Sequence, residues 1–144
     1  MSFVNSAITA VVSSLQSAPA VAANIGRVKL RPMAASTQQA IVVRPAGSVA
    51  TNVSQTSGYP ISWQTTIHVE CYAKSTAATA PDAAVDALVQ SAYARLMADI
   101  TLGGAIVSLE PVSIDYDFDV DADQTTCATL TLSALQRVDA AFLS

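Results

Sequence analysis

The chain has 144 residues, of which 51% are hydrophobic and only 12% charged, against a usual charged share of about 25%. That length suits one domain with its own core, and a surface so poor in charge points to a subunit covered in part by other copies. With 7 basic residues, 11 acidic ones and a net charge of −4, a domain gripping nucleic acid is disfavoured, because such binding draws its affinity from Lys and Arg on phosphates.

In chain order, the first element reads as a helix. Val4, Ile8, Val11, Val12 and Leu15 recur at spacings of three and four, which places them on one face, and Pro19 marks the stop. Ala40-Ile41-Val42-Val43-Arg44, ended by Pro45, reads as a strand buried on both sides. It stands between two loops: one over about 26–39, with basic residues, Pro32 and a Ser/Thr/Gln cluster, and one over about 47–60, rich in Ser, Thr, Asn and Gly. From Ile61 the sequence alternates strictly. Ile61, Trp63, Thr65, Ile67, Val69 and Cys71 take one face, and Ser62, Gln64, Thr66, His68 and Glu70 the other, the period of a half-buried strand.

The second helix is predicted from Pro81, a residue tolerated in a first turn. Its stripe runs through Val85, Leu88, Val89, Ala92, Tyr93, Leu96, Met97 and Ile100 to a stop at Gly103-Gly104. Ala105 to Leu109 then leads to Pro111, which cannot donate to a ladder and so implies a bulge or an edge. Val112, Ile114, Tyr116, Phe118 and Val120 alternate with Asp115, Asp117, Asp119 and Asp121. A reversal near Ala122-Asp123-Gln124 leads into Ala128, Leu130, Leu132 and Ala134, completing a long hairpin. The order α-β-β-α-β-β gives an α+β single domain over residues 1–144, with a mainly antiparallel or mixed sheet and two helices packed on it.

Candidate chemistry is thin. The ladder Asp115, Asp117, Asp119, Asp121 and Asp123 invites a divalent cation, but a calcium loop of the EF-hand type needs Gly at its sixth position and Glu at its twelfth. Counted from Asp117 these places hold Ala122 and Ala128. Along a strand the carboxylates also stand about 7 Å apart, too far to converge, so a solvated face is the simpler reading and a small divalent-cation-binding module the alternative. His68, the one histidine, has no nucleophile elbow or oxyanion arrangement near it in sequence, and Cys71 falls on the opposite strand face. Catalysis, a resident metal and a cofactor are not expected. Cys71 and Cys127 read as small buried hydrophobes. No basic region precedes the first apolar stretch and no run approaches the ~20 residues that span a bilayer, so a cytoplasmic origin without membrane contact is expected.

The charge is unevenly distributed. Arg27, Lys29, Arg31 and Arg44 fall in the first third, and the Asp block from Asp115 to Asp123 lies in the last. This asymmetry suits head-to-tail contact between identical subunits.

The segments "RVKLRPM…AIVVRP", "WQTTIHVECYAK" and "PDAAVDALVQSAYARLMADITLGGAIVSLEPVSIDYDFD" together resemble the tail terminator, or tail completion, proteins of long-tailed bacteriophages. The most telling part is the helix running into Ala98-Asp99-Ile100-Thr101-Leu102-Gly103-Gly104. The resemblance covers nearly the whole chain and implies a non-enzymatic job: a ring, a hexamer in that family, that caps the tail tube and ends its polymerisation. Its implied partners are other copies of itself, the tail tube protein and the head–tail connector protein, with DNA passing through without specific binding. Its implied place is the head-proximal end of the virion tail, assembled in the host cytoplasm. Arg27, Lys29, Arg31 and Arg44 are then candidates for the subunit or tube interface, and the Asp ladder for a channel wall that repels phosphate. A tube subunit or a head–tail completion subunit is the alternative within the same class.

Overall fold

The computed structural model describes residues 3–17, 20–22, 25–27, 39–52, 60–74, 81–117 and 125–139. Among them the chain order is α1 (Phe3–Gln16), β1 (Ile25–Gly26), β2 (Gln39–Asn52), β3 (Pro60–Lys74), α2 (Pro81–Met97), β4 (Ser108–Asp117) and β5 (Thr125–Asp139). The strands form one five-stranded sheet in the order β1-β2-β3-β5-β4. β1 is parallel to β2, and the other pairings are antiparallel. The α+β class and the mixed sheet under two helices agree with expectation.

The two helices lie on the same face of the sheet. Ala7, Ile8, Val11 and Leu15 of α1 and Val85, Leu88, Val89, Ala92 and Leu96 of α2 share one buried core with Ile41, Val43, Ile67, Val69, Cys71, Leu130 and Leu132. The alternation read in β3 is what aims these side chains at the helices. Burial of each large aliphatic side chain contributes roughly 1.5–3 kcal/mol, so this layer holds the fold. Phe3 stacks tilted on Trp63, with ring centroids 5.5 Å apart, and the Gln136 side-chain amide donates to the Phe3 carbonyl at 2.9 Å. The start of α1 is thus fixed to both β3 and β5.

The end of α1 is tied to α2 by one side chain. Arg95 Nη1 donates to the Ser14 carbonyl at 3.0 Å, to the Ser17 carbonyl at 2.8 Å and to Ser17 Oγ at 2.9 Å. A guanidinium here answers helix-end carbonyls that lack partners within the helix and lies at the negative end of the helix dipole. Arg95→Met keeps most of the packing and removes these bonds. Its expected effect is a loss of about 1–2 kcal/mol in urea unfolding, with faster hydrogen exchange concentrated in residues 11–17.

Four local expectations are corrected. Pro45 does not end its strand: β2 continues to Asn52, and residues 47–52 are strand where a loop was expected. Register shifts between Pro45 and Gly47 and between Ala50 and Asn52 let the strand pass its proline. β1, too short to show any period, was not foreseen. α2 stops at Met97, so Ile100, placed on its stripe by sequence, is 46% exposed. Finally, β4 starts at Ser108 and carries Pro111 inside it. The register shift between Pro111 and Ser113 sends Val112 outward, to 63% exposure, where an apolar face was expected. Residues 28–38, 53–59 and 118–124, which include most of the first loop, the rest of the second and the hairpin turn, lie outside the described residues.

Asp99 shapes the turn after α2. Its Oδ1 accepts from the Thr101 backbone N–H at 3.2 Å and from Thr101 Oγ1 at 2.9 Å, and its Oδ2 accepts from the Gly103 N–H at 2.9 Å. The chain then runs through three residues of positive φ: Leu102 at 50°, Gly103 at 73° and Gly104 at 90°. An added Cβ at Gly103 or Gly104 would meet nothing within 4 Å, so backbone conformation, not space, selects glycine there. The Thr101 hydroxyl, then the Gly103 amide, hold the Asp99 carboxyl below its ordinary value. A depressed carboxyl stabilises the fold above its unfolded pKa and loses that contribution as pH falls through the folded one. NMR titration of the Asp99 carboxyl is expected to show a midpoint below that of an ordinary aspartate, moving upward in Thr101→Val.

Candidate assembly surface

The face of the sheet away from the helices carries most of the polar strand residues. Across it run Arg44 of β2, His68 of β3, Thr131 of β5 and Ser113 of β4, neighbours by register. One rung along lie Val42, Glu70, Thr129 and Asp115, and then Ala40, Tyr72, Cys127 and Asp117. Val42, Tyr72 and Cys127 form a small buried cluster of their own there, so the expectation that Ile41-Val42-Val43 is buried on both sides holds.

Arg44 Nη2 pairs with Glu70 Oε2 at 2.6 Å, with the Arg44 side chain 55% and the Glu70 side chain 12% exposed. Tyr72 OH also donates to Glu70, at 3.3 Å. Burial, with Cys127 and Glu70 nearby, pushes the Tyr72 hydroxyl pKa up. Arg44 therefore has a task within its own chain as the countercharge of a largely buried carboxylate, and truncating it strands that charge. Its remaining N–H donors stay available to a partner.

Arg27 is exposed just beyond β1 and donates to Asn5 Oδ1 of α1. Lys29 and Arg31 lie outside the described residues, as do Asp119, Asp121 and Asp123. Asp115 and Asp117 are exposed on β4, and Ser113 Oγ donates to Asp115 Oδ2 at 3.3 Å. The structure does not bring Arg27 and Arg44 together with these aspartates. It sets them far apart across the sheet: β1 is one edge, with β2 beside it, and β4 is the other.

His68 is half-buried on the polar face, while Cys71 lies in the helix-side core. Among the described residues no group of three or more His, Cys, Asp or Glu is placed to hold a metal ion. Cys71 and Cys127 are both free and buried, in neighbouring strands but on opposite faces of the sheet. No helix among the described residues is long and apolar enough to cross a membrane.

Sequence reasoning missed the exposed apolar residues: Val49 at 66%, Ile100 at 46%, Val107 at 47%, Val112 at 63% and Tyr116 at 43%. Four of the five lie on β4 or in the segment leading to it, and Val49 lies on β2. Tyr116 OH donates to Asp86 of α2 at 3.0 Å, and that bond, ahead of partial burial, raises its pKa. Only the proline at position 111, with its implied bulge, hinted at this pattern.

No protein-family profile matches the chain, and no curated protein sequence matches it. Among solved structures, it is similar to a chain of the virion of a native gene transfer agent particle. The TM-score is 0.47 at 14% identity, over 91% of this chain and 92% of that one.

Proposed function

We propose that the protein is a non-enzymatic structural subunit of a long-tailed bacteriophage, closing into a ring that caps the tail tube, stops its growth and joins it to the head connector. The observation that carries this reading is the polarity of the sheet. One edge region bears Arg27 and Arg44, and the opposite edge strand bears Glu110, Asp115 and Asp117. Opposite charges on opposite sides of one subunit suit a head-to-tail contact, and such a contact generates a ring when its rotation closes. The resemblance of the sequence to tail terminators supplies the place in the virion and the sixfold copy number.

Termination then needs no reactive group. One ring face matches the last tube ring, the other does not repeat that surface, and addition stops. Asp115 and Asp117 stand on the sheet face away from the helices, and if that face lines the channel their carboxylates repel passing phosphate.

The test is the native mass of the purified chain together with negative-stain microscopy. A closed particle of six 14.9 kDa subunits, seen as isolated rings, is the expected result. Open-ended tubes would favour a tube subunit instead, and a monomer at all concentrations would sink the proposal.

A further inference from the structure

The two open edges of the sheet share a construction that says how copies meet. β1 pairs only with Ile41 and Val42, so from Val43 onward the outer edge of β2 has no strand beside it among the described residues. The outer edge of β4 is open in the same sense. Both edges are blunted. β2 has Pro45 and two register shifts, and β4 has Pro111 and one. Prolines, bulges and charges are the devices that prevent one sheet from continuing into another. Yet large apolar side chains stand out on both edge strands: Val49 on β2, and Val112 and Tyr116 on β4.

We infer that the β4 edge of one copy seats against the exposed half of β2 in a second copy, through side chains and not through a shared ladder. This deepens the ring reading and rests on it. Val112, sent outward at the bulge of β4, meets Val49, the exposed apolar residue of β2. Around them Glu110, Asp115 and Asp117, all exposed, face Arg27 and the donors of Arg44 that Glu70 does not use. The described charges flanking the β4 contact are all acidic, so the surface repels its own kind and selects the basic edge. The contact joins unlike surfaces, so every subunit uses each edge once.

The experiment uses Val49→Cys and Val112→Cys, separately and together, in the full chain with a flexible bismaleimide. Cys71 and Cys127 are buried, and the unsubstituted protein shows their background. A one-to-one mixture of the two single variants is expected to give covalent dimers and nothing larger. The double variant is expected to give a ladder that ends at the copy number of the ring, and each single variant alone no product. A native mass showing a ring, with no mixed dimer, overturns this contact and leaves the ring standing. Dimers from one single variant alone also overturn it, since they report like surfaces meeting. A monomeric native mass removes both the contact and the ring.

Discussion

Leu130→Ala is expected to cost roughly 2–5 kcal/mol of stability, the range for truncating a buried leucine whose surroundings cannot collapse fully. Leu130 has no exposed surface. It sits on the central strand pair, opposite Val69 of β3 and Ile114 of β4, in the core that both helices share. Its neighbours on two sides, Val69 and Ile114, are held by strand pairing and cannot shift inward without breaking register. Urea unfolding at one fixed protein concentration measures the effect, because association couples stability to concentration. The midpoint should fall with the slope unchanged. Gln90→Ala is the control: an exposed position on α2, expected to stay within about 0.5 kcal/mol. Equal effects at the two positions would mean that the helices do not cover this face.

Reversing the acidic edge is expected to abolish assembly while leaving the subunit folded. In Glu110→Lys/Asp115→Lys/Asp117→Lys, three exposed carboxylates become cations, which in the proposed contact face a basic edge. Like charges brought together at an interface cost several kcal/mol, so the concentration needed for rings should rise by roughly 100-fold or more. Far-UV circular dichroism and the unfolding midpoint of the dissociated subunit should stay near those of the unsubstituted protein, since all three side chains are exposed. Adding Arg27→Glu to the same chain should recover part of the assembly, and raised salt should weaken the unsubstituted ring by screening. Arg44 is the wrong place for such a swap, because Glu70 depends on it within the subunit. Rings unaffected by the triple change would separate the charge polarity from assembly.

How much of this was legible depends on the physical scale of each signal. The alternation from Trp63 to Cys71 and the stripe from Val85 to Leu96 place side chains in the core because their period is set by backbone geometry alone. Pro111 likewise announced its edge and bulge. By contrast, the exposure of Val112 depends on a register shift, and a single extra residue changes the face of everything before or after it. Pro45 misled for the same reason, since a bulge made room for it inside β2. The reach of α2 was overestimated because Ile100 fits the helical period, whereas the helix ends at Met97 and the hydrogen bonds of Asp99 to Thr101 and Gly103 fold the following residues into a turn. The opposition of Arg27 and Asp115 across the sheet follows from strand order, which composition does not encode. The charge asymmetry was visible in the sequence, and its direction in space was not.

The placement of the two cysteines bears on durability. Burial, with Cys127 nearby, pushes the Cys71 thiol up to about 12, so near neutrality it holds almost no thiolate, the species that oxidises and exchanges. Projection from opposite sides of the sheet keeps the pair from bridging within a folded subunit. Rings of the proposed kind should therefore keep their form when moved from a reducing environment to air, with no covalent scrambling between subunits.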